Sequence, residues 1–116
     1  MLPTSIVTTR LSLREPRISD ALHIFRAYTT DREVTRYMIW RPHEAITETE
    51  AFIATCIQAW TDRTHFPYVI TLAGHEQEPI GMIEARPKGH MIDIGYVLAR
   101  QFWGQEIMAE ALAELT

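Results

Sequence analysis

The stretch Met91-Ile92-Asp93-Ile94-Gly95-Tyr96-Val97-Leu98 alternates as a strand does, and Ile107 to Leu115 repeats its apolar residues at helical spacing. Between them lies Gln101-Phe102-Trp103-Gly104-Gln105-Glu106, so the chain must pass from strand to helix within a short turn, with the helix predicted from about Trp103. Such a junction aims unpaired backbone N–H groups and the positive end of a helix dipole at one point, where an anion can be held. Gly104 permits close backbone approach, and no proline between residues 90 and 116 removes a donor. A pyrophosphate would satisfy this turn, although strand-turn-helix with one glycine is common and carries little by spacing alone.

Upstream, Arg10-Leu11-Ser12-Leu13-Arg14 alternates and ends near Pro16, which predicts a first strand over about 6–15. Ser19 is a good N-cap for a helix to about Thr29, with Ala21, Leu22, Phe25 and Tyr28 on its apolar stripe. Val34, Tyr37, Met38 and Trp40 suggest a short helix before Pro42, inside a loop of functional interest. Thr47 with Glu50 reads as a capping box, and Phe52, Ile53, Cys56, Ile57 and Trp60 follow on one face. Phe66 to Leu72 and Pro79 to Ala85 form a predicted antiparallel hairpin, and Pro87-Lys88-Gly89-His90 turns into the strand at 91–98. The expected class is α/β (α+β), a mixed and mostly antiparallel sheet flanked by helices in the order β-α-α-β-β-β-α.

At 116 residues the chain fits a single domain, 1–116, able to bury a core without disulfide or metal. A net charge of −4 argues against a nucleic-acid partner; ten of the eleven basic residues are arginine, suited to carboxylate or phosphate contacts. Cys56 stands alone and reads as small core filler. No leader-like or membrane-spanning apolar run is evident, so the expectation is a soluble cytoplasmic protein with no membrane partner. His23, His43, His65, His75 and His90 lack metal-ligand spacing, so no metal is expected.

Four marks together resemble the GNAT superfamily of acetyl-CoA-dependent N-acetyltransferases, in its ribosomal-protein-alanine acetyltransferase-like branch. They are Thr9-Arg10-Leu11-Ser12-Leu13-Arg14, Ile80-Gly81, Ile94-Gly95-Tyr96-Val97-Leu98, and Trp103-Gly104 with Glu110-Ala111. The resemblance implies that the strand at 91–98 splays from its next neighbour and that backbone groups of Val97, Leu98 and Ala99 pair with the pantetheine arm of acetyl-CoA. It also implies that the turn of Gln101, Phe102, Trp103, Gly104, Gln105 and Glu106 holds the pyrophosphate. The family's phosphate motif is Gln or Arg, two free positions, Gly, one free position, then Gly or Ala. Gln101 and Gly104 match it, and Glu106 falls where the small residue belongs.

That carboxylate either repels the diphosphate or swings outward and favours the positive helix end. Relatives also continue past this helix, so the resemblance implies a fold lacking C-terminal strands and helix, in which strand 91–98 lacks its onward neighbour. An exposed sheet edge then leads to the expectation of a homodimer through it. For direct transfer to an amine, a base and a polarising N–H are needed. Asp93 and Glu84 are the candidate carboxylates on the two relevant strands, each otherwise a solvent-facing strand residue. Arg36, Tyr37 and Trp40, with Arg41 and His43 beside them, lie where related enzymes often contact the acceptor, although the two aromatics could instead pack beneath the loop. The expected function is transfer of acetyl from acetyl-CoA to a primary amine, such as a protein N-terminus, by direct attack in a ternary complex. The alternative is a truncated, non-catalytic GNAT-like domain serving as an interaction or oligomerisation module.

Overall fold

The computed structural model describes residues 3–36, 38 and 41–115. Five antiparallel strands lie in sequential order: β1 (Ser5–Val7), β2 (Leu11–Arg14), β3 (Phe66–Leu72), β4 (Gly81–Lys88) and β5 (Met91–Leu98). Short loops make this meander local, except where the helical segments enter between β2 and β3. Those segments are a continuous run of 3-10, α and π turns through Ile18–Asp20, α1 (Ala21–Ile24) and Phe25–Thr29, then α2 (Arg32–Thr35) and α3 (Ile46–Asp62). After β5 come a 3-10 turn, Arg100–Phe102, and α4 (Ile107–Leu115).

Strand alternation sends apolar residues to both faces, and helices cover each. Val69, Met82 and Val97 stand in register across β3, β4 and β5 and pack with Ile24, Tyr28 and Ile53 of the helices. The other face, with Leu13, Ile70, Ile83 and Leu98, is covered by Ile107, Ala111 and Leu115 of α4. Cys56 is buried beside the Met82 sulfur, and burial pushes its thiol up to about 12, so it is inert filler as expected.

β4 leaves no room for a side chain against β5 at Gly81. A Cβ there would lie 2.5 Å from the Val97 carbonyl oxygen and 2.9 Å from Leu98 Cδ1, and the first of these is backbone that cannot turn aside. Gly81→Ala is therefore expected to prise β5 from β4 and cost about 1–3 kcal/mol. A denaturant midpoint unchanged from the native protein would contradict this close packing.

Several boundaries differ from expectation, each for an identifiable reason. The single strand over 6–15 is two strands, because the Thr8 N–H donates to Leu11 at 2.9 Å, turning the chain at residues 8–10. Ser19 is not the N-cap: the helical run starts at Ile18, and Asp20 closes it by accepting the Arg17 N–H at 2.7 Å. Likewise α3 starts at Ile46 after Ala45, without the Thr47–Glu50 box; Glu48 instead accepts the Glu44 N–H at 2.8 Å. The turn expected over Pro87 to His90 narrows to Gly89 and His90, since Lys88 pairs with Met91.

Candidate functional site

The last helix begins at Ile107 rather than near Trp103, because two residues before it have left-handed backbone. Gly104 has φ 81° and Glu106 has φ 58°; the second is a conformation in which a side chain on L-residues is strained. The Glu106 carbonyl then accepts the Glu110 N–H at 3.2 Å, opening α4 and leaving the preceding first-turn N–H groups without intrahelical partners. Position 106 thus favours glycine for a backbone reason, independent of charge.

The parity of the β5 ladder decides which groups face the open edge. The Ala99 N–H donates to the Ile80 carbonyl at 2.8 Å, and Val97 stands opposite Met82. In an antiparallel ladder alternate residues point their N–H and C=O the same way, so Val97 and Ala99 are turned toward β4, and Leu98 and Tyr96 toward the open edge. The Leu98 carbonyl confirms this orientation by accepting the Trp103 indole N–H at 2.8 Å. Of the trio Val97, Leu98 and Ala99, only Leu98 therefore offers edge groups. Sequence reasoning misses Tyr96, and the signal that finds it is ladder parity.

A cavity of about 770 Å³ lies along this edge, lined by Val34, Leu98, Trp103, Gly104, Glu106 and Met108 among others. Glu106 contributes to the cavity wall. Gly104 has no other atom within 4 Å of where a Cβ would stand, so the turn is open there. Trp103 is 43 % exposed and lies over the strand edge. Gln101 and Phe102 line a second cavity with Arg26 and Arg100, and Phe102 lines both. The Gln105 side chain donates back to the Gln101 carbonyl at 3.2 Å, tightening the turn.

The two candidate bases differ in position. Glu84 is three-quarters covered, opposite Gly95, with His65 Nε2 at 3.5 Å and Arg86 Nη1 at 3.4 Å. Arg86 lies across Gly95, where a Cβ would come within 2.7 Å of Nη2. Asp93 is exposed at the hairpin end of β5, 3.9 Å from Lys88 Nζ. At about 3.4 Å per residue the level of Glu84 is roughly 10 Å along β5 from Leu98, and Asp93 roughly 17 Å. Neither lines the cavity at the phosphate turn.

Arg36 lies in a third cavity with Thr30, Arg41 and His43, 3.6 Å from Glu33. Tyr37 and Trp40, the other candidate acceptor contacts, lie outside the described residues. Below this loop His43 Nδ1 is 2.7 Å from the Thr49 hydroxyl, itself 3.1 Å from the Thr29 hydroxyl, and burial holds the imidazole below its ordinary pKa. Among the described residues no cluster of three metal-ligating side chains occurs, and no helix is long and apolar enough to cross a membrane.

The family pattern described as "Acetyltransferase (GNAT) domain" matches residues 10–116. The chain belongs to the GNAT acetyltransferase family. Solved GNAT-like structures agree in fold. A protein from Vibrio cholerae, titled as a candidate ribosomal-protein-serine acetyltransferase, is 24 % identical with a TM-score of 0.83, over 99 % of this chain and 66 % of its own. The microcin C7 self-immunity acetyltransferase MccE, in complex with acetyl-CoA and AMP, is 19 % identical with a TM-score of 0.81, over 98 % and 65 %. RimL, a ribosomal L7/L12 alpha-N-protein acetyltransferase in complex with coenzyme A, is 22 % identical with a TM-score of 0.79, over 95 % and 63 %. This GNAT chain thus spans just under two thirds of the length of each. No curated protein sequence matches it significantly.

Proposed function

We propose that this chain takes part in acetyl-CoA-dependent N-acetylation of a primary amine, with a protein N-terminus as the acceptor class. The observation that carries the reading is the continuity of the open Leu98–Tyr96 edge with the left-handed turn and the first turn of α4. An extended amide-bearing arm ending in a diphosphate matches that order of groups: strand-edge acceptors and donors first, then convergent N–H groups. Bound acetyl-CoA supplies the activated acetyl thioester. In this reading the Leu98 and Tyr96 backbones hold the arm, and the turn N–H groups from Gly104 onward hold the diphosphate.

Glu84 is the better placed of the two carboxylates for taking the proton from the attacking amine, directly or through a water. It is partly covered and stands on the strand next to β5, whereas Asp93 is exposed at the far hairpin. Arg36 is the described residue of the acceptor loop that could hold a peptide carbonyl or carboxylate. The acceptor class is supported by RimL, whose own substrate is named as the alpha-N of ribosomal L7/L12. Such a reaction belongs in the cytoplasm, where acetyl-CoA and nascent N-termini meet.

The test is release of free thiol from acetyl-CoA with a short peptide as acceptor, compared with the same peptide blocked at its N-terminus. Product with the free peptide only is expected, and Glu84→Gln is expected to lower kcat by about 10²-fold. No acetyl-CoA-dependent product with any amine would contradict the catalytic reading.

A second reading rests on Glu106, a residue of the cavity wall whose backbone is strained and which carries a negative charge. In that reading the domain keeps the GNAT fold without catalysis and serves association. Ile92, Tyr96 and Trp103, exposed along or beside β5, would form the contact, and a homodimer through this edge is its expected product.

A further inference from the structure

We propose that Arg10, fixed by Glu110, is a positioning residue for the phosphate turn: it pins the Gln105 carbonyl and thereby sets the direction of the next N–H. This rests on the reading of that turn as the diphosphate site. The carboxylate of Glu110 accepts three hydrogen bonds from the turn between β1 and β2: from the Thr8 hydroxyl, from the Arg10 N–H at 2.9 Å and from Arg10 Nε at 2.6 Å. The same guanidinium reaches on with Nη1 to the Gln105 carbonyl at 3.0 Å. One arginine therefore ties the beginning of β2 to both α4 and the turn ahead of it.

The geometry of the peptide unit gives this contact its consequence. In a trans peptide the C=O and the following N–H point in opposite directions. Anchoring the Gln105 carbonyl on Arg10 turns the Glu106 N–H away from Arg10, and the peptide plane loses its freedom to flip. That plane needs an external anchor, because it lies ahead of the helix ladder, followed directly by Glu106 at positive φ and preceded, one residue upstream of Gln105, by Gly104 at positive φ. The three hydrogen bonds from Thr8 and Arg10 hold the Glu110 carboxyl down to about 2, so the clamp stays charged throughout any working pH. A planar fork that serves two acceptors at once is a property of guanidinium that an ammonium lacks.

The experiment uses Arg10→Lys and Glu110→Gln beside the native chain, each checked by thermal melt. Amide hydrogen exchange is read without ligand, and dissociation constants are read for acetyl-CoA and for S-acetylpantetheine, which lacks the diphosphate. Arg10→Lys is expected to retain the fold, to speed exchange of the Glu110 amide, which is bonded to the Glu106 carbonyl, relative to β3, and to weaken acetyl-CoA roughly tenfold while leaving S-acetylpantetheine unchanged. Glu110→Gln is expected to show the same split more weakly. Unchanged exchange at the Glu110 amide would overturn the clamp, as would equal weakening of both ligands. If the native chain bound neither ligand, the diphosphate reading would fall, and the exchange data would still decide whether Arg10 fixes the turn.

Discussion

Glu106→Gly is expected to bind acetyl-CoA at least tenfold more tightly than the native chain and to melt at a higher temperature. Two separate physical terms act in the same direction. Glycine removes the cost of a side chain held at φ 58°, which is about 1 kcal/mol. It also removes a negative charge from the cavity wall beside the proposed diphosphate. Coulomb repulsion at about 4 Å and an effective dielectric near 20 is on the order of 4 kcal/mol, a thousandfold if borne in full. Glu106 is exposed, so solvent screens much of that, and a gain of roughly ten- to a hundredfold is the expected range. Glu106→Gln separates the terms, since it removes the charge and keeps the strain. Calorimetric titration of the three proteins checks the prediction, and a glycine variant with native affinity and native melting temperature would contradict both arguments.

Asp20→Ala is expected to be the most destabilising of the substitutions considered. Arg14 and Asp20 form a bidentate pair, Nη1 to Oδ2 at 2.9 Å and Nη2 to Oδ1 at 2.6 Å, with both residues more than nine-tenths buried. The remaining guanidinium donors reach the Glu76 and Glu15 carbonyls, and Asp20 also closes the helix start through the Arg17 N–H. Removing the carboxylate leaves a buried cation with only neutral acceptors, at a cost of about 3–5 kcal/mol. For a domain of this size that lowers Tm by roughly 10 °C or more. The double replacement Arg14→Leu with Asp20→Leu should be far milder than Asp20→Ala, because no charge is then stranded. A thermal melt of Asp20→Ala within about two degrees of native would contradict this view of the pair.

The contrast between these two sites also marks how far the sequence could be read. β5 is legible to the residue, Met91 to Leu98, from its β-prone run between the Gly89-His90 turn and Ala99. The body of α3 follows from the spacing of Ile53, Cys56 and Trp60, all of which are buried. Its cap was not legible, since Thr47 and Glu50 obey the capping pattern while Glu48 makes the bond. The turn between β1 and β2 is closed by the Thr8–Leu11 bond and braced by Glu110, about a hundred residues away, and the alternating pattern of the sequence shows neither.

At the candidate site the residue types of the turn were legible and their directions were not. Gln101, Gly104 and Glu106 fall at the motif's spacing, yet only the fold reveals that position 106 requires a left-handed backbone. Ladder parity, which turns Leu98 and Tyr96 outward, depends on the Ile80–Ala99 bond and on how β4 pairs. Nor does the sequence show that the Trp103 indole N–H finds the Leu98 carbonyl, which holds the ring at the edge.

The measurement that tests the central claim most directly is calorimetric titration of the native chain with acetyl-CoA, with the Trp103 emission followed as the difference between the native chain and Trp103→Phe. Saturable one-to-one binding in the micromolar range, accompanied by a change in Trp103 emission as the Leu98 carbonyl exchanges partners, is the expected result. No binding at millimolar ligand by either the native chain or Glu106→Gly would contradict the assignment of the β5 edge and its turn as an acetyl-CoA site.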